Sequence, residues 1–139
     1  MADLFVYGTL MCADILKAVA GELPARTKAV LRGYRRFGVR GERYPAIIAA
    51  EGASVEGVVC FDIGEESWRR LDRFEGKMYQ RRLVEVKLKD WASTKKAYAY
   101  VVGKDFEDRL SPEEWSFEVF KKTGKGEFVN DYEGYDILN

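Results

Sequence analysis

Short runs of β-branched and aromatic residues, alternating with the period of two that a half-buried strand needs, recur along most of this 139-residue chain. Within residues 55–63, Val55, Val59, Phe61 and Ile63 share one parity, while Glu56 and Asp62 take the other. Comparable runs occupy residues 29–39, 45–50, 82–88 and 97–102, and the apolar run at 4–7, closed by Gly8, reads as a buried strand. Five or six strands with only two or three short helices predict an α+β fold. The sheet is expected to be mixed or antiparallel and curled into a small barrel rather than doubly wound.

The connecting segments refine this expectation. Residues 45–50 and 55–63 read as a hairpin around Glu51 and Gly52, and Gly33 and Gly38 permit bulges in a long, bent strand. Helical spacing at Ile15, Leu16 and Val19 predicts a helix over 11–20, ended by Gly21. A second helix is predicted over Glu65–Glu75, with acids in its first turn and Gly76 at its end. Ser111, Pro112, Glu113 and Glu114 read as an N-cap, a first-turn proline and a capping-box acid for a third, carrying Trp115, Val119 and Phe120 towards Gly124. No linker or repeat interrupts the chain, so one domain over 1–139 is expected. Its last segment, 127–139, holds four acids and no base, and suits either a docked strand or a flap.

Composition removes whole classes of chemistry. There is no histidine, hence no imidazole base, no His-dependent nucleophile and no His metal ligand. Cys12 and Cys60 can form neither a disulfide framework nor a four-thiolate zinc site, and read as buried thiols. The sequence offers no metal site. The 23 Lys and Arg balance the 23 Asp and Glu, so no overall field favours nucleic acid or a membrane. The first apolar stretch follows Asp3 and is broken by Gly8 and Thr9, which fits neither a signal peptide nor a membrane span. A cytoplasmic monomer is the expected state.

Two short segments could carry chemistry. Tyr7, Gly8, Thr9 and Leu10 follow a strand at the point where the backbone turns towards a helix, a geometry that can aim several N–H groups at one polarised oxygen. The same residues also suit a plain turn in which Gly8 supplies the dihedral. Glu75 lies four residues after Leu71 and seven after Trp68, spacing that turns it towards the core at the negative end of a helix. Both effects raise a carboxyl pKa and make a base. The alternative is a surface ion pair with Arg73, Lys77 or Arg81. Tyr79 reads either as a group orienting Glu75 or the substrate, or as an aromatic filling the barrel mouth.

Taken together, Tyr7-Gly8-Thr9-Leu10, the run from Leu71 to Gly76 reading Leu-Asp-Arg-Phe-Glu-Gly, and Met78-Tyr79-Gln80-Arg81 resemble the gamma-glutamylcyclotransferase-like family. Gly33-Tyr34-Arg35-Arg36-Phe37, Tyr44-Pro45-Ala46-Ile47 and Val55-Glu56-Gly57-Val58 are most similar to its avirulence-induced-gene subgroup of plants and bacteria. The resemblance covers about residues 4–102, leaving 103–139 as a C-terminal helix and acidic tail. It implies a barrel with a pocket at its mouth, Glu75 as the general base, and the amides of Tyr7, Gly8, Thr9 and Leu10 holding the substrate. The implied reaction releases 5-oxoproline from a small gamma-glutamyl compound without metal or organic cofactor.

A second reading is a non-catalytic module that binds a small molecule or nucleic acid. Residues 26–43 carry Arg26, Lys28, Arg32, Arg35, Arg36, Arg40 and Arg43 against Glu42 alone, with Tyr34 and Phe37 interleaved. Such a run also suits a solvated face paired with the six acids of 105–118.

Overall fold

The computed structural model describes residues 2–89 and 93–126. Five strands, β1 (Ala2–Val6), β2 (Arg26–Gly38), β3 (Pro45–Ile63), β4 (Tyr79–Leu88) and β5 (Thr94–Val102), close into a barrel in the order β1-β3-β2-β4-β5. Neighbours are antiparallel except where β5 returns beside β1, with Leu4 opposite Tyr98 in parallel. The mixed barrel expected from the strand patterning is therefore the fold observed.

Strand parity separates the two larger core clusters, and a smaller third gathers around Val39, Ala46 and Val102. Phe5, Tyr7, Leu31, Ile47, Val59 and Val86 belong to the barrel's own cluster, with Ala97 and Ala99 supplying small side chains. Leu4, Val6, Cys60, Ile63 and Tyr100 point the other way and pack beneath two helices, α1 (Ala13–Ala20) and α2 (Glu65–Glu75). β1 is thus buried on both faces, as its unbroken apolar run requires. The two thiols, Cys12 and Cys60, are free and buried, and burial pushes that of Cys60 up to about 12.

The α2 boundaries agree with the sequence reading at both ends, but three other expectations are corrected. Residues 45–50 and 55–63 do not pair with each other. They are halves of the single strand β3, and both pair with β2, Tyr34 to Gly38 against Ala49 to Pro45 and Arg26 to Arg32 against Cys60 to Ser54. Gly33 (φ 85°) and Gly52 (φ 82°) sit where the register shifts, so the glycine that looked like a hairpin turn serves a bulge instead. The first helix is split: a 3-10 turn (Thr9–Met11) precedes Cys12, and α1 starts only at Ala13.

The third correction concerns residues 111–124. Ser111 Oγ accepts from Glu113 N at 3.2 Å, but the segment pairs with the end of β2, Ser111 N donating to Gly38 O and Gly38 N to Glu113 O. Those bonds hold it in a non-helical bend, and Trp115 Nε1 donates to Arg43 O at 2.8 Å. The helix begins at Phe117, capped by Ser116, as a short α segment α3 (Phe117–Val119) that passes into a π turn (Phe120–Gly124). The acidic tail at 127–139 lies outside the described residues. Among the described residues no helix is long and apolar enough to cross a membrane.

Candidate active site

At one end of the barrel, β1 hands the chain to Tyr7 and Gly8. The first hydrogen bonds of the 3-10 turn run from Met11 N to Gly8 O (2.9 Å) and from Cys12 N to Thr9 O (3.1 Å). The amides of Gly8, Thr9 and Leu10 precede those bonds, so the turn itself does not use them. All three residues line a pocket, and Gly8 is required there by contact rather than by φ. A Cβ on it would stand 2.6 Å from Pro45 Cγ and 2.7 Å from Pro45 Cδ.

Glu75, the last residue of α2, lines the same pocket. Leu71 and Phe74 bury the face of the helix beside it. The residue as a whole is partly exposed, but its carboxyl is desolvated, and this, with the nearby charge of Asp72, pushes its pKa up to about 8. None of the ion pairs among the described residues includes Glu75. Arg81, one of its candidate surface partners, instead pairs with Asp72 at 3.5 Å and stacks over Trp68.

Tyrosines join the loop to the helix. Tyr7 Oη donates to Tyr100 O at 2.5 Å, and Tyr100 Oη donates to Asp72 Oδ1 at 2.7 Å. Burial, with the nearby Glu75 charge second, holds the Tyr7 phenol well above its ordinary pKa, so it is a proton donor at neutral pH. Tyr79 Oη donates to Pro45 O at 2.6 Å, which ties down the proline packed against Gly8. Among the described residues the lining, completed by Tyr44 and Met78, includes no cationic side chain.

Tyr7, Gly8, Thr9, Leu10 and Glu75 therefore meet in one cavity although Leu10 and Glu75 are far apart in sequence. The sequence alone does not single out Tyr100, and it gives Asp72 and Arg36, whose Nη1 donates to Tyr7 O at 2.6 Å, no role of their own beyond their place in motifs. Periodicity marks Tyr100 only as a strand residue, and the sequence marks Arg36 only as one of a basic run and of a family motif. Of that run, Arg26, Lys28 and half-buried Arg36 line one groove, Arg26 also donating to Met11 O, while Arg32, Arg35 and Arg40 are exposed outside its lining. Among the described residues no cluster of three His, Cys, Asp or Glu side chains could hold a metal.

In architecture the molecule is a gamma-glutamyl cyclotransferase-like barrel. It superposes on a solved structure titled gamma-glutamyl cyclotransferase with a TM-score of 0.67 at 17% identity, over 99% of this chain and 85% of that one. An Arabidopsis thaliana protein solved in solution superposes with a TM-score of 0.72 at 27% identity, over 95% of this chain and 88% of that one. The chain belongs to the family described as gamma-glutamyl cyclotransferase, AIG2-like, whose model matches residues 4–117. It is 35% identical over 128 residues to AIG2-like protein C of Arabidopsis thaliana, spanning 91% of this chain and 73% of that relative.

Proposed function

We propose that the protein is a gamma-glutamylcyclotransferase that uses Glu75 as general acid and base. The observation that carries this reading is a desolvated carboxyl with a pKa of about 8 in the same pocket as the amides of Gly8, Thr9 and Leu10. An α-amino group also titrates near pH 8, so a proton passes between the two at little cost, the condition for efficient general-base catalysis.

The substrate is a small compound whose glutamyl γ-carboxyl is in amide linkage. Glu75 takes a proton from the α-ammonium, and the freed nitrogen attacks the γ-carbonyl carbon to close a five-membered ring. The N–H groups of residues 7–10 stabilise the oxyanion. Glu75 passes its proton to the leaving nitrogen and takes the second proton from the ring nitrogen; collapse breaks the bond to the leaving nitrogen, which departs with that second proton as an ammonium, and 5-oxoproline and an ionised Glu75 remain. Holding the glutamyl chain folded supplies several of the roughly 7 to 11 kcal/mol available to a well-oriented intramolecular reaction. Nothing in these steps calls on a metal or an organic cofactor.

The test is Glu75→Gln, assayed for 5-oxoproline release across a panel of gamma-glutamyl compounds. The near-isosteric change is expected to leave the fold intact and to lower kcat by about 100-fold or more. Wild-type turnover by the variant would remove Glu75 from the reaction.

A further inference from the structure

Arg36 is unlike a surface charge. It lies on β2 beyond the Gly33 bulge, half-buried, with its guanidinium 5.3 Å from the ring centre of Trp115. Its Nε is buried and has no hydrogen-bond partner among the described residues. No described carboxylate forms an ion pair with it, and Glu114 and Glu56 act only at longer range. Keeping a cation there carries a desolvation cost. Its hydrogen bonds go to carbonyls, Nη1 donating to Tyr7 O at 2.6 Å and, more weakly, to Glu56 O at 3.4 Å.

We infer that Arg36 is a positioning residue for this pocket: by holding the carbonyl of Tyr7 it turns the amide of Gly8 towards the substrate. The Tyr7–Gly8 peptide is trans, so its C=O and N–H point to opposite sides of the chain. Arg36 and Trp115 line a groove on the carbonyl side, whereas Gly8 lines the pocket that holds Glu75. With the carbonyl drawn to the guanidinium, the N–H is directed away from the groove. A charged donor on the oxygen also polarises the peptide and strengthens that N–H as a donor. Pro45, packed where a Gly8 Cβ would stand, closes the other side, so the peptide is clasped at its oxygen and at its Cα. The inference rests on the proposed oxyanion role of this loop.

The test compares Arg36→Met and Arg36→Lys with wild type and with Arg35→Met, an exposed neighbour stacked on Phe37. Arg36→Met is expected to lower kcat by about 10- to 100-fold, less than the roughly 100- to 1,000-fold that follows loss of a whole oxyanion donor, with KM changed by less than about threefold. Arg36→Lys should show the same effect in smaller measure. The Gly8 amide cross-peak in a nitrogen–proton spectrum should move in both Arg36 variants and stay fixed in Arg35→Met. Wild-type kcat with an unmoved Gly8 cross-peak in Arg36→Met overturns the inference, even if the variant is less stable. Should Arg36→Met fail to fold, Arg36→Lys decides by the same two readouts. If wild-type protein releases no 5-oxoproline from any gamma-glutamyl compound, the cyclotransferase reading falls, and the Gly8 cross-peak alone still decides whether Arg36 sets the loop.

Discussion

A glutamate at the end of a surface helix is ordinarily solvated and strongly acidic, and what separates Glu75 from that case is desolvation. Unfolded, it ionises near its ordinary value of 4.5; folded, it holds its proton to about pH 8. Between those limits the unfolded chain binds fewer protons at this site, so its contribution to stability is fully present at low pH and is lost as pH rises through the window. Replacing Glu75 by Gln should therefore flatten the decline in stability from about pH 5 to about pH 8, seen as converging urea midpoints at low pH and a more stable variant at high pH. An unchanged slope would place the titration elsewhere. Glu75 was legible because its spacing from Leu71 and Trp68 puts a carboxylate on an apolar stripe, and Gly8 because a glycine closes a buried strand. Arg36 was not, since whether an arginine on a strand faces water or the chain's own carbonyl depends on which strand lies across from it.

Elements with a local stop signal could be read from sequence, and those shaped by distant pairing could not. Gly76 and the acids at 65 and 66 bound α2 on their own terms. Gly52 marks a turn in one context and a bulge in another, and pairing with β2 selects the bulge. Ser111 does accept from a nearby amide, but bonds to Gly38 divert the chain from a helix there. α2 also completes α1: Ser67 Oγ donates to Ala20 O at 2.9 Å and Arg70 Nε to Val19 O at 2.9 Å, satisfying carbonyls that a helix end leaves open. Ser67→Ala leaves the buried Ala20 carbonyl without this donor and should cost about 1 to 3 kcal/mol in urea unfolding at constant m-value. A cost near zero would mean that water or a shifted Arg70 replaces the hydroxyl.

Strand order is a property of the whole molecule, and nothing in the period-two patterning reveals it. The patterning gives strand number and parity, from which a barrel follows; that β3 separates β1 from β2 is decided by long-range packing. Gly57 shows how tight that packing is. A Cβ there would lie 2.3 Å from Val6 O and within 3 Å of the Phe5 ring, so β1 can seat against β3 only if position 57 has no side chain. Gly57→Ala should destabilise the barrel by about 1 to 3 kcal/mol or more, lowering the denaturation midpoint seen by far-UV circular dichroism and by tryptophan fluorescence together. A change confined to one probe would show that the seam yields locally. Tyr100 makes the closing strand more than a seam, because its carbonyl receives Tyr7 and its hydroxyl reaches Asp72. On the proposed function, the cradle for the oxygen and the scaffold of the proton carrier hang from one peg. A shift in β5 would disturb both at once, so on that reading a change of leaving group is expected to be accommodated at Tyr44, Tyr79 and Met78 and not in that strand.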